Sequence, residues 1–170
     1  DMIHHTIEGL EKPVVVSQAN YAASGGYYIS CNADAIYTNS TTVTGSIGIF
    51  MQLFSVAPFM TETLGLHVEE VSTHPLANYP NLYSSPSPEA YAILQRMIDQ
   101  GYDDFTGKVA AGRDTSIAYI KEIAKGRVWT GTEAVANGLA DREGNLYDAI
   151  EHAAQLADLS SYRLYELPAV

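Results

Sequence analysis

Apolar residues in this chain fall into short runs punctuated by Gly, Pro, Asn and Ser, with one long periodic stretch in the second half. Runs over 13–17, 35–38, 46–50, 67–72 and 127–129 are short and rich in β-branched or aromatic residues, so they predict strands. Helices are expected over 24–32, 56–64, 88–111, 116–124, 132–137 and 146–157. The clearest is 88–111. Ser87 can cap it, Pro88 suits its first turn, and Glu89 favours its positive end. Tyr91, Leu94, Met97 or Ile98, Tyr102, Phe105 and Val109 recur on one face of it. A further helix is expected at the start, where Ile3, Ile7 and Leu10 stand at i, i+4 and i+7. Residues 72–88 hold four prolines and read as a loop. Strands and helices interleave, which predicts an α/β fold.

One turn in this pattern carries chemistry. Tyr21-Ala22-Ala23-Ser24-Gly25-Gly26-Tyr27-Tyr28 follows the run Val14-Val15-Val16. It places a serine between two alanines and two glycines, where a strand is expected to give way to a helix. A serine there is exposed, with small neighbours that let a substrate backbone approach. The amide N–H of Gly25 then points at the oxyanion that forms when Ser24 attacks a carbonyl. The same residue pattern also suits a serine that merely caps the helix.

Two further motifs follow. Thr44-Gly45-Ser46-Ile47-Gly48-Ile49-Phe50 comes after Ala35-Ile36-Tyr37, and Gly126-Arg127-Val128-Trp129-Thr130-Gly131 precedes Ala134 and Asn137-Gly138-Leu139-Ala140-Asp141. In order and spacing the three motifs resemble the signal peptide peptidase A (protease IV) family, over roughly residues 1–159. The resemblance implies a crotonase/Clp-peptidase-like fold of stacked ββα units. It also implies a serine peptidase with a lysine general base, kept neutral by apolar burial. Ser24 matches the nucleophile, Ser46 a serine that orients the lysine, and Gly25 an oxyanion donor. Thr44, Gly45 and Ile47 match a strand edge that pairs with extended peptide substrates.

The lysine itself is not where the resemblance puts it. The chain has Lys12, Lys108, Lys121 and Lys125, and none stands in the loop after 67–72 where the short form of the family carries its base. In the long, duplicated form the lysine comes from the N-terminal half. The sequence is therefore expected to be the C-terminal, serine-bearing half of the long form, with 1–159 its catalytic domain and 160–170 a tail. The resemblance further implies leftover signal peptides and other extended apolar peptides as substrates and the N-terminal half as partner. It implies a ring-like homo-oligomer such as a tetramer, and membrane association on the extracytoplasmic (in a Gram-negative cell, periplasmic) side through an anchor outside this chain. His74 falls in the short form's lysine loop and is the alternative base, since neutral imidazole takes protons near neutral pH. Two other readings stay open. One is a non-catalytic structural half. The other is a crotonase-type acyl-CoA enzyme using carboxylates such as Glu69 and Glu70.

Composition narrows the field. At 170 residues with net charge −11, the chain has no basic patch for phosphates, so nucleic acid is not an expected partner. The single cysteine, Cys31, excludes an internal disulfide and reads as a small buried side chain. No His/Cys cluster or Gly-rich phosphate loop suggests a metal or a cofactor. The stretch 50–60 is the most apolar, yet Gln52, Ser55 and Pro58 interrupt it well short of a bilayer span.

Overall fold

The computed structural model describes residues 2–74, 76–77, 80–84 and 86–167. It divides into two compact units, residues 1–48 with 103–170, and residues 49–102.

The first unit is built from paired strands. β1 (Val15–Gln18) lies parallel to β3 (Ala35–Thr38), and β3 parallel to β6 (Arg142–Glu143). β2 (Tyr21–Ala23) lies parallel to β4 (Val43–Gly45), which pairs antiparallel with β5 (Val128–Thr130). Thus β1–β2 and β3–β4 are two copies of one strand–jog–strand unit laid side by side, with helix α2 (Gly25–Ser30) between them. Parallel pairing demands such a crossover, and α2 supplies it. Strand β3 is buried along its whole length, as expected of a parallel strand covered on both faces.

Helices α1 (Met2–Glu8), α4 (Ile117–Ile123), α5 (Gly131–Ala136) and α6 (Leu146–Leu156) complete this unit. Their starts follow from local chemistry. Ser116 accepts from Tyr119 N–H, while Thr130 with Glu133 and Asn145 with Asp148 form reciprocal capping boxes. α3 (Pro88–Gly112) begins as expected at Ser87-Pro88, its residues from 103 onward belonging to the first unit. Of its apolar stripe, Phe105 and Val109 are buried, Leu94, Ile98 and Tyr102 half-buried, and Tyr91 and Met97 exposed, so Ile98 is the inward residue of the pair considered.

Several expectations are corrected here. The serine turn does not follow the Val14–Val16 run directly, because β1 ends at Gln18 and the separate strand β2 leads into Ser24. The strand expected over 46–50 lies earlier, as β4 at 43–45, because Gly45 (φ 76°) and Ser46 (φ 48°) leave extended geometry. On α1 the buried residue is His4, whereas Ile3 and Leu10 are exposed.

In the second unit, residues 49–102, the expected strand at 67–72 does not form, and the expected helix at 56–64 shrinks to a short stretch around a π-helical turn at Phe59–Thr63. Val71 is 96% exposed and Phe50 87%. A strand needs a ladder partner, and no strand ladder includes this run among the described residues. Phe50, Met51 and Leu53 line a groove of about 230 Å³ with Tyr91, Leu94 and Ile98. Pro75, Asn78, Tyr79 and Ser85 of the loop expected over 72–88, and 168–170 of the tail, lie outside the described residues. The described tail residues, 160–167, are exposed and form no regular element.

Candidate active site

Ser24 stands where β2 hands over to α2, with its backbone at φ 52°, ψ −116°. A residue with a side chain adopts such geometry at a cost of about 1–3 kcal/mol, and only where neighbouring bonds enforce it. Here Ser24 N–H donates to the Gly45 carbonyl at 2.9 Å, and Tyr28 N–H donates to the Ser24 carbonyl at 2.8 Å. Tyr27 anchors the first turn of α2. It is fully buried, and its hydroxyl donates to the Leu139 carbonyl at 2.8 Å. Burial pushes the Tyr27 phenol far above its usual range, so it stays a hydrogen-bond donor.

The hydroxyl of Ser24 makes no capping bond, although the residue holds the N-cap position. Ser24 and Gly25 are both exposed. A Cβ added to Gly25 or Gly26 would meet nothing within 4 Å, and neither glycine has a positive φ. The chain's own packing therefore does not require these glycines, and they leave open space around the serine. The Gly25 N–H finds no acceptor among the described residues.

The ladder brings the second serine alongside. Ala23 is the register partner of Gly45 in parallel strands, so Ser24 and Ser46 are the next residues on neighbouring strands, whose spacing is about 4.8 Å. Both have left-handed backbones, and both turns leave the ladder at this point. The peptide unit between Gly45 and Ser46 links three segments. Its carbonyl accepts from Ser24 N–H, and its N–H donates to the Arg127 carbonyl at 2.8 Å. Ser46 is half-buried.

Thr44 and Gly45 are interior, flanked by Ala22 and Ala23 on one side and by Trp129 and Val128 on the other. The Thr44 hydroxyl donates to the Ala22 carbonyl at 2.9 Å. An added strand has no free backbone to pair with at these two residues. Past them, the Ile47 carbonyl accepts from Gly126 N–H at 3.0 Å, while the Ile47 N–H and the Ser46 carbonyl meet no partner among the described residues.

None of the four lysines is buried. Lys12 and Lys125 are exposed, and Lys121 pairs with Asp103 at 2.6 Å. Lys108 lies over the Tyr28 ring at 5.6 Å and 3.3 Å from Asp104. Hydrogen bonding to Tyr28, with Asp104 adding to it, raises its pKa, opposite to what a base at neutral pH needs. Among the histidines, the buried His4 lies 3.2 Å from the Tyr28 carbonyl. His74 accepts from Leu76 N–H at 3.2 Å within its own loop. Glu69 and Glu70 are exposed and outside regular structure.

The model of peptidase family S49 matches residues 8–160. The chain belongs to this family. It is 44% identical over 153 residues to Protease 4 of Salmonella typhi, covering 90% of this chain and 24% of that protein. Protease 4 of Haemophilus influenzae is 40% identical, over 93% of this chain and 26% of its own length. The chloroplastic serine protease SPPA of Arabidopsis thaliana is 36% identical, over 87% of this chain and 22% of its own length. The chain therefore spans about a quarter of these relatives. The solved structure of a mutant of the 1510-N membrane-bound stomatin-specific protease is similar in fold, with a TM-score of 0.52 and 13% identity, over 89% of this chain and 60% of that one. The fold is thus α/β of the Clp-peptidase-like kind, as the motifs implied.

Within this S49 chain, sequence reasoning located the turn from Ser24 into a helix but missed β2, and it gave the third motif no role. The available signal was the motif itself. Its Gly126-Arg127 backbone is what holds Ser46 and Ile47.

Proposed function

We propose that this S49 chain carries the nucleophile of a serine endopeptidase. The observation that carries the proposal is the Ser24 turn, with its enforced left-handed backbone, free exposed hydroxyl and open Gly25 N–H. Ser24 Oγ attacks a peptide carbonyl, its proton passes to a base, and the Gly25 N–H stabilises the oxyanion. Collapse of the tetrahedral intermediate expels the amine, and water then releases the acyl group. The base is a lysine from a segment outside this chain, because none of the four here has the burial that lowers an ammonium pKa. Ser46, side by side with Ser24, orients that lysine. Signal peptides and other extended apolar peptides are the substrates, and the Ser46 carbonyl offers them an acceptor past the covered ladder. The working form is a ring-like homo-oligomer associated with the membrane on its extracytoplasmic side. Since no helix among the described residues is long and apolar enough to cross a bilayer, the anchor is also supplied from elsewhere.

Labelling by a fluorophosphonate, with the adduct located by mass spectrometry, tests this reading. Labelling of Ser24 only when the chain is joined to its base-bearing segment is the expected result. Labelling in the isolated chain points to an internal base such as His74. Absence of labelling in both favours a non-catalytic structural half.

A further inference from the structure

We infer that Trp129 is a positioning residue for the two serines, acting through the Gly45–Ser46 peptide unit. The inference rests on the peptidase reading above. The indole lies close enough against β4 that a Cβ on Gly45 would come within 2.9 Å of Trp129 Cδ1, so residue 45 must be glycine both for contact and for its φ of 76°. The ring is itself fixed from two sides. Its Nε1–H donates to the Ile123 carbonyl at 3.2 Å, and the Arg127 guanidinium lies 5.4 Å over it while its Nε donates to the Ala124 carbonyl at 3.1 Å. Arg127 is also the residue whose carbonyl accepts from Ser46 N–H.

A continuous set of contacts therefore runs from the end of α4, through the indole, to the peptide whose carbonyl holds Ser24 N–H. Gly45 and Ser46 are both left-handed, and a flexible glycine does not hold that geometry unaided. The indole closes the space into which the Gly45–Ser46 peptide would rotate. Rotation would withdraw the acceptor from Ser24 N–H and re-aim the Ser46 side chain together. Trp129 thus controls the alignment of nucleophile and base-orienting serine while touching neither hydroxyl.

The test measures the rate of fluorophosphonate labelling of Ser24 against pH, in the full peptidase polypeptide, with folding checked by circular dichroism. Trp129→Phe keeps a ring on Gly45 and should label within about threefold of the parent. Trp129→Ala should label about 10- to 100-fold more slowly, and its acid limb should move, because a misaimed Ser46 changes the base's environment. If Trp129→Ala does not fold, Trp129→Leu keeps apolar bulk without the flat ring and should be about tenfold slower. A folded Trp129→Ala or Trp129→Leu protein with the parent's rate and pH profile overturns the positioning role and leaves the peptidase reading standing. A uniform slowing at every pH also overturns it, in favour of a merely structural role. Failure of the parent to label at Ser24 overturns the peptidase reading, and the inference falls with it.

Discussion

The two serine turns share a positive φ but differ in environment. Each follows a short strand ending in a small residue, and each has a positive φ. Ser24 opens onto empty space beside Gly25 and Gly26. Ser46 is half-buried and bound through its N–H to Arg127, with Trp129 against the preceding glycine. The two turns thus differ in what surrounds them: the first is left open, and a third strand closes over the second.

The largest expected effect comes from removing the open serine. Ser24→Ala in the full peptidase should lower turnover by at least about a thousandfold, since no other hydroxyl at the turn can take the acyl group. Turnover that persists would dissolve the comparison. Ser46→Ala should lose about 10- to 100-fold, because an orienting group contributes less than the nucleophile. A loss equal to that of Ser24→Ala would mean that the two turns share one role.

A stability measurement asks whether both turns depend on one anchor. Asp141 accepts from Ile36 N–H at 2.7 Å and from Arg113 at 2.6 Å, which ties down β3, the strand before the one that leads to the Ser46 turn. Leu139, two residues earlier, holds Tyr27 beside the Ser24 turn. Asp141→Ala leaves Arg113, largely buried, without its carboxylate and should destabilise the chain by about 2–3 kcal/mol in denaturant unfolding. A change below about 0.5 kcal/mol would show that the anchor is dispensable.

The smallest effect concerns Cys31, at the end of α2. Burial pushes its thiol up to about 11. The folded state therefore holds this proton more tightly than the unfolded chain, whose thiol titrates near about 8.5. The stability linked to it is present in full below about pH 8.5 and is lost as pH rises toward about 11. Alkylation of the native protein at about pH 8 should accordingly be slow and become fast on unfolding. Fast native alkylation would mean that α2 opens more readily than its bonds suggest.

How far the sequence could be read differs from place to place for physical reasons. The helix at 88–112 was legible because cap, proline and apolar period agreed on one answer. The Ser24 turn was legible because small residues bracket a serine, yet β2 was not, since three residues carry no period. Residues 67–72 looked like a strand but remain exposed and outside any strand ladder among the described residues, because an apolar run does not supply its own ladder partner. Thr44 and Gly45 looked like a free edge because nothing in their identity reveals that β5 returns to cover them.

The sequence by itself determined where a hydroxyl stands between small residues, because that is a local property of the chain. It also determined the family, through three ordered motifs. Only the tertiary structure decided that Ser24 and Ser46, 22 positions apart, both follow the paired residues Ala23 and Gly45, and that the Arg127 carbonyl accepts from Ser46 N–H while Trp129 lies against Gly45. Those facts depend on parallel pairing and on an antiparallel return from more than eighty residues away. Such pairings are settled by which backbone groups remain to be satisfied once the chain has folded, and no local pattern encodes that.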